Sequence, residues 1–258
     1  MLNNIFDTHA HYDDDAFDED LGQVLSGLAE KGVCGVINNA SNMDSARRSI
    51  ELAENYANVW AAVGVHPHDV KDMTDSDIDT LREMSKHKRV VAIGEIGLDY
   101  HYNFSPRDVQ IKWFKKQLEL AKELDLPVFI HDREAHADTL EILKGYRPKG
   151  VIHCFSGSVE MAREIIKLGM YIGLGGAVTF KNAKTPVEVA RYVPLDRLLL
   201  ETDAPYMTPV PFRGKRCSSD LIQYTAEKIA AERNMTAQQL CDITKNNTLT
   251  LFEKIEKF

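Results

Sequence analysis

The chain has no cysteine framework. Its four cysteines, Cys34, Cys154, Cys217 and Cys241, are scattered through 258 residues, with no CxxC pair and no disulfide rhythm. Free thiols in a reducing cytosol are therefore expected, and with them a cytoplasmic protein. Positive charge is also in deficit. The formal net charge is -8, which argues against a basic coat for long duplex DNA and against a membrane-surface patch. It leaves room for a nucleic-acid substrate if bound cations and one short basic run, Arg213-Gly214-Lys215-Arg216, carry the phosphate contacts. No apolar stretch approaches the ~20 residues that a bilayer span needs. The opening Met1-Leu2-Asn3-Asn4-Ile5-Phe6-Asp7 has neither a cationic nor an apolar segment, so no signal peptide is expected. Linkers, low-complexity tracts and a demand for an obligate protein partner are all missing. The expectation is one domain over residues 1–258, working as a monomer.

Hydrophobic residues make up 44% and charged residues 27% of the chain, an ordinary globular balance with ample material for a core. Eight short runs stand near 5–9, 33–38, 59–65, 90–94, 127–131, 150–154, 170–174 and 197–201. Most are continuously apolar, which fits parallel strands buried on both faces. Amphipathic stretches separate them. In the clearest, 108–124, Ile111, Phe114, Leu118, Ala121 and Leu124 form one stripe, with lysines and Glu119 facing away. Pro127 stops that helix. Thr74 with Asp77, and Thr236 with Gln239, have the spacing of capping boxes. Strand and helix alternating eight times at this length predicts a (β/α)8 TIM-like barrel. A doubly wound open sheet is the alternative.

Imidazoles and carboxylates recur at the ends of these runs: Asp7-Thr8-His9-Ala10-His11, Gly94-Glu95, Ile130-His131, Ile152-His153 and Glu201-Thr202-Asp203. In a barrel the C-terminal strand ends converge on one rim. His9 and His11 are two apart and share a strand face, so both can reach one ion. Glu95 has two oxygens and can bridge two cations. Each tip alone also fits a hydrogen-bonded core histidine, a rim ion pair or a capped turn. All of those would have to hold at once. The donor set suits Zn, Mn or Ni, and its carboxylates admit Mg. Metal lowers the pKa of bound water, which makes hydrolysis the natural reaction. No serine or cysteine nucleophile elbow competes. Gly173-Leu-Gly175-Gly176 lacks the GxGxxG spacing and reads as a strand-to-helix turn.

At these residues the chain resembles the TatD family of metal-dependent deoxyribonucleases. The resemblance runs nearly end to end, through Phe6-Asp-Thr-His-Ala-His11, Gly64-Val-His-Pro-His68, Gly94-Glu-Ile-Gly-Leu-Asp-Tyr100, His131-Asp-Arg-Glu-Ala135, His153-Cys-Phe-Ser-Gly157, Glu201-Thr-Asp-Ala-Pro-Tyr206 and Pro209-Val-Pro-Phe-Arg-Gly-Lys-Arg216, with Asn247-Thr248 near the end. It implies a barrel of the metallo-dependent hydrolase type with two divalent ions (Mg, Mn or Zn). His9, His11, Glu95 and Asp203 would hold one ion, and Glu95, His131 and His153 the other. Glu95 and Asp203 would be catalytic, Asp203 orienting the attacking hydroxide. His66, Arg133, Arg213 and Lys215 would contact phosphate or substrate, His66 having a purely structural role as its alternative. Asp99 and Tyr100 would organise the loop beside Glu95, and Glu201 would support Asp203 or accept a proton.

The chain departs from the family pattern at Phe212, where histidine is common, and at Cys217-Ser218-Ser219, where Asn-Glu-Pro is common. Substrate preference is what these departures touch. The expected activity is hydrolysis of DNA phosphodiester bonds, 3′ to 5′, from single-stranded or frayed ends. Amidohydrolase or phosphotriesterase-like chemistry on the same barrel is an alternative, although those enzymes often bridge their metals through a carbamylated lysine where Glu95 stands here. Hydrolysis of an aminoacyl-tRNA ester and a non-catalytic metal-binding scaffold remain as further alternatives.

Overall fold

The computed structural model describes residues 2–255. Eight strands form one sheet in chain order: β1 (Ile5–Ala10), β2 (Val33–Asn39), β3 (Val59–Val63), β4 (Val90–Asp99), β5 (Val128–Arg133), β6 (Gly150–Ile152), β7 (Tyr171–Leu174) and β8 (Leu198–Leu200). All seven ladders are parallel. Just beyond β8, Ala204 bridges Ala10 of β1, and the Asp203 amide donates to the His9 carbonyl at 2.9 Å. These contacts draw the two edges together into a nearly closed barrel, the expected architecture.

Among the described residues, nine α-helices pack around it: α1 (Leu21–Gly27), α2 (Met43–Asn55), α3 (Asp75–Met84), α4 (Arg107–Glu123), α5 (His136–Tyr146), α6 (Val159–Lys167), α7 (Lys184–Tyr192), α8 (Ile222–Glu232) and α9 (Ala237–Leu251). The 108–124 pattern is α4, displaced by one residue. Both capping boxes form. The Thr74 amide donates to Asp77 Oδ2 at 2.8 Å, and the Thr236 amide to Gln239 Oε1 at 2.9 Å. The glycine-rich stretch after β7 is a turn into a short 3-10 helix, Gly176–Thr179.

One buried apolar layer lies between the strands and the helices. A second fills the barrel, drawing Phe6, Ile37, Trp60, Val91, Phe129, Val151, Tyr171 and Leu199 from the eight strands in turn. Phe252, after α9, stacks on Phe129 at 5.0 Å between centroids and plugs the interior. His131 follows Phe129 by two positions on the same strand face. The apolar plug therefore sits directly beneath the polar mouth.

The largest difference from the expectation raised by the sequence is in β4. It does not stop at Gly94 but continues to Asp99. Ile93 pairs with Val128 and Ile96 with Ile130, so three steps on β4 span two on β5. One extra residue is accommodated as a bulge, which takes Gly94 and Glu95 out of the ladder and re-aims the glutamate. The strand then resumes, because Gly97 allows close approach to β5: its φ is +147°, and a Cβ there would lie 2.0 Å from the His131 carbonyl oxygen. Gly97→Ala is therefore expected to lower stability by about 2 kcal/mol or more, read as a fall in Tm. At Gly145 in α5 a Cβ would have nothing within 4 Å. Gly145→Ala should keep Tm unchanged or raise stability by up to about 1 kcal/mol. Equal Tm values for the two variants would contradict this account of β4.

Candidate metal centre

Bulges place the central residues. Besides the one in β4, a second register shift in β1 falls between Asp7 and Ala10, across Thr8 and His9. The Glu95 amide donates to the Ala40 carbonyl at 2.9 Å, tying the bulge to the end of β2. Glu95 is 3% exposed, and its two oxygens face different partners. Oε2 lies 3.2 Å from His9 Nε2 and 3.6 Å from His11 Nε2. Oε1 lies 2.7 Å from His153 Nε2, 2.9 Å from His131 Nδ1 and 3.5 Å from His66 Nε2. Asp203, just past β8, brings Oδ1 to 3.4 Å from His11 Nε2 and 3.8 Å from His9 Nε2. All six expected ligand residues thus meet at one place.

The hydrogen bonds behind the rings decide what the rings offer. His11 Nδ1 lies 2.8 Å from the Asn39 carbonyl oxygen. A carbonyl can only accept, so Nδ1 carries the hydrogen and a neutral His11 turns its Nε2 lone pair to the centre. His131 Nε2 donates to Asp99 Oδ2 at 3.1 Å, which turns the Nδ1 lone pair toward Glu95. His9 Nε2 and His11 Nε2 stand only 3.2 Å apart, as do His131 Nδ1 and His153 Nε2 at 3.3 Å. Ring nitrogens this close need a shared hydrogen or positive charge between them.

Protons or divalent cations can supply that charge. Burial pulls the His11 pKa down, but Asp203 and Glu95 outweigh it and push it up to about 10. Burial likewise opposes Asp99 and Glu95 at His131, which rises to about 9. His9, buried and stacked 3.8 Å from His153, is lowered to about 4 and stays neutral. Burial would raise Glu95, yet His153, His66 and His9 hold it well below the usual carboxylate range. Ionised oxygens and imidazole nitrogens are the donors that suit first-row divalent cations. Three groups bring their donor atoms within 4.8 Å of one another: His9, His11 and Asp203; His9, Glu95 and His153; His66, Glu95 and His131. The residues present fit a divalent metal.

Further acids hold the centre from behind. Asp7, fully buried, accepts from the His9 amide at 3.2 Å, the Thr202 hydroxyl at 2.6 Å and the Ser219 hydroxyl at 2.6 Å. Ser219 belongs to the segment that departs from the family pattern, so that segment reaches under His9. Asp99 takes His131 and His68 on Oδ2 and the amides of His101 and Tyr102 on Oδ1. Glu201 accepts from the Cys154 amide, and its other oxygen has no partner. Burial, partly opposed by His153, raises its pKa to about 8. Gly173 provides its space, since a Cβ there would lie 2.4 Å from Glu201 Oε2.

The centre opens into a cavity of about 860 Å³ lined by His66, His68, Arg133, Tyr102 and Tyr206, with Asp13, Asp14, Asp15, Asp44 and Asp69 on its walls. His66 and Arg133 are thus at the cavity, as expected. His66 comes nearer the centre than a substrate contact alone requires, and His68 joins it without having been singled out by sequence. The HPH spacing after β3 is the signal that could have found both. Arg213 and Lys215 do not line the cavity. The Arg213 guanidinium packs 3.7 Å from the Phe180 ring centroid, and Lys215 lies over Phe212, itself packed on Tyr224. Arg216 is engaged with Asp20 at 2.6 Å. No lysine lines the cavity among the described residues, so a lysine bridge has no place here.

A parallel barrel with such a centre at its mouth is that of a metal-dependent hydrolase. The profile of the TatD-related DNase family matches residues 6–253. A Bacillus subtilis protein named as an uncharacterized metal-dependent hydrolase, YabD, is 45% identical, over 96% of this chain and 98% of its own. The Salmonella typhimurium 3′-5′ ssDNA/RNA exonuclease TatD is 33% identical, over 97% of this chain and 100% of its own. The crystal structure of YJJV, a TatD homologue from Escherichia coli K12, superposes with a TM-score of 0.92 at 34% identity, over 98% of this chain and 99% of that one. The chain belongs to the TatD-related DNase family and is a metal-dependent hydrolase of that type.

Metal loading should displace the protons on His11 and His131. Since these rings lose protons only as pH climbs toward 9 and 10, divalent-metal affinity should rise with pH across the neutral range. About one proton should leave per ion bound. Titration calorimetry in buffers of differing ionisation enthalpy reads both. A pH-independent affinity without proton release would exclude these imidazoles as ligands.

Proposed function

We propose that the protein is a divalent-cation-dependent phosphodiesterase that removes nucleotides from the 3′ ends of single-stranded or frayed DNA. The observation that carries this reading is the two-sided seating of Glu95, with His9 and His11 on one oxygen and His131 and His153 on the other. In this reading His9, His11, Glu95 and Asp203 hold one ion, and Glu95, His131 and His153 hold a second, the ions being Mg, Mn or Zn. Divalent cations bound there would acidify water and offset the charge of the phosphate.

The chain's own groups do the rest. Asp203 keeps 18% of its side chain exposed to the cavity. Burial would raise its pKa, but His11, His153 and His9 hold it below the usual range, so it is ionised at neutral pH and accepts a proton from water. That water attacks phosphorus in line with the 3′-oxygen of the shortened strand, the P–O3′ bond breaks, and the proton taken by Asp203 passes to the departing oxygen, which leaves as a 3′-hydroxyl. His66, buried and held neutral, and Arg133 orient the phosphate oxygens. The acidic walls supply little attraction for a polyanion, which supports dependence on cations for substrate binding. The name of the Salmonella relative supports the 3′-to-5′ direction and the single-stranded substrate. Arg213 and Lys215 would meet only a strand that extends beyond the cavity. In this reading the protein works as a monomer without an obligate protein partner. The four unpaired cysteines fit the cytoplasm. No described helix is long and apolar enough to cross a membrane.

With Mg or Mn, the protein should release 5′-mononucleotides from the 3′ end of a single-stranded oligonucleotide. Glu95→Gln should lower kcat/KM by about 10³-fold, and Asp203→Asn should lower kcat more than it raises KM. Absence of nucleotide release by metal-loaded protein, or full activity in Glu95→Gln, would refute the reading.

A further inference from the structure

The geometry points to a base-stacking platform at the cavity mouth, in which Phe104, backed by Tyr102, takes an unpaired nucleobase of the entering strand. The inference rests on the phosphodiesterase reading and names what that site recognises beyond the phosphate.

Large hydrophobic residues are well exposed at Tyr102 (48%), Phe104 (60%), Tyr192 (38%), Tyr206 (54%) and Val210 (43%) among the described residues. Tyr102 and Tyr206 line the cavity, and Phe104 stacks on Tyr102 with centroids 5.3 Å apart and planes 20° apart. Exposed aromatic surface thus gathers at the opening that leads to the candidate metal centre. Nothing in the packing of the chain calls for Phe104 to stand in water. Its ring touches Tyr102 and the edge of His68, at 4.8 Å, and the rest faces solvent.

The pair is fixed in place. Asp99 Oδ1 accepts the amides of His101 at 3.0 Å and Tyr102 at 2.8 Å. Its other oxygen takes His131 at 3.1 Å and His68 at 2.9 Å. One carboxylate therefore mounts both the platform and a ring of the metal centre, which sets the distance and angle between them. Arg133 lies 4.7 Å from the Tyr102 ring centroid, so a cationic group for phosphate and a flat apolar face for a base stand side by side. That order matches a nucleotide. Tyr206 stands on the far side of the mouth, since β4 and β8 are four strands apart in an eight-stranded barrel; its hydroxyl donates to Asp14 at 2.7 Å.

Every base has a π-face, so such a platform accepts any sequence. A base inside a duplex has both faces covered by its neighbours and cannot use it. The platform consequently selects unpaired ends.

Two measurements test it. The first compares hydrolysis of a single-stranded oligonucleotide with that of an oligonucleotide of the same length whose 3′-terminal residues are abasic (tetrahydrofuran), a diester with no aromatic ring, by metal-loaded wild type, Phe104→Ala and Phe104→Trp. Phe104→Ala should lower the ratio of the two kcat/KM values by about 10-fold, through KM for the base-bearing oligonucleotide, and Phe104→Trp should restore it. A ratio unchanged in Phe104→Ala overturns the platform. The second measures binding of a fluorescent, slowly cleaved phosphorothioate oligo(dT) to metal-loaded wild type and to metal-loaded Phe104→Ala, by anisotropy. Binding weakened about 10-fold by Phe104→Ala supports the platform even if wild type fails to cleave the strand, and equal binding overturns it. Failure of cleavage by wild type counts against the phosphodiesterase reading alone.

Discussion

An ionised glutamate surrounded by imidazoles, almost wholly removed from water, is the constraint from which the rest of the site follows. A buried carboxylate is expensive unless positive charge meets it. Glu95 meets five imidazoles, two on one oxygen and three on the other. Each of the rings whose far nitrogen is hydrogen-bonded, His11 on the Asn39 carbonyl and His131 on Asp99, has its tautomer set so that the near nitrogen points inward. The result is a crowd of donor atoms that must otherwise share hydrogens among themselves. A divalent cation resolves that conflict better than a proton can, because one ion satisfies several donors at once.

The barrel makes this cluster possible at little expense to stability. Its ladders satisfy the backbone, and its interior is filled by apolar residues up to the level of Phe129. Only above that level do the strand ends turn polar. Bulges in β1 and β4 aim His9 and Glu95 inward, and the closure of β8 onto β1 delivers Asp203 to His11. Asp7 and Asp99 then lock the arrangement from outside. Asp7 binds β1 to Thr202 just beyond β8 and to the segment at Ser219. Asp99 binds the inward-facing His131 to the exposed aromatic loop. Both segments therefore reach the centre through short hydrogen bonds, Cys217-Ser218-Ser219 through the buried Ser219.

Much of this is readable from residue order. The apolar runs with histidine or acid at their ends, the stripe on α4 and both capping boxes correspond to what folds, because each depends on neighbours a few positions away. The extension of β4 past Glu95 is not readable. The run Ile96-Gly97-Leu98-Asp99 looks like loop after a strand end, and only its pairing with His131–Arg133 across a bulge makes it strand. That Arg213 and Lys215, expected to contact phosphate, do not line the cavity is also unreadable, for a related reason. A basic run in a loop is available for phosphate by sequence, yet Phe180 and Phe212 draw these side chains away.

The order of residues by itself determined the alternating architecture, the kind of donors at the strand ends and hence metal-dependent hydrolysis, since those follow from periodicity and side-chain chemistry. Tertiary structure alone decided which Glu95 oxygen faces which histidines, that His66 joins them, that Asp99 serves both His131 and Tyr102, and which aromatic rings remain in water. Those outcomes depend on angles and distances between segments up to about two hundred residues apart. Local preference cannot specify them, because they exist only once the barrel closes and its bulges set the direction of each side chain.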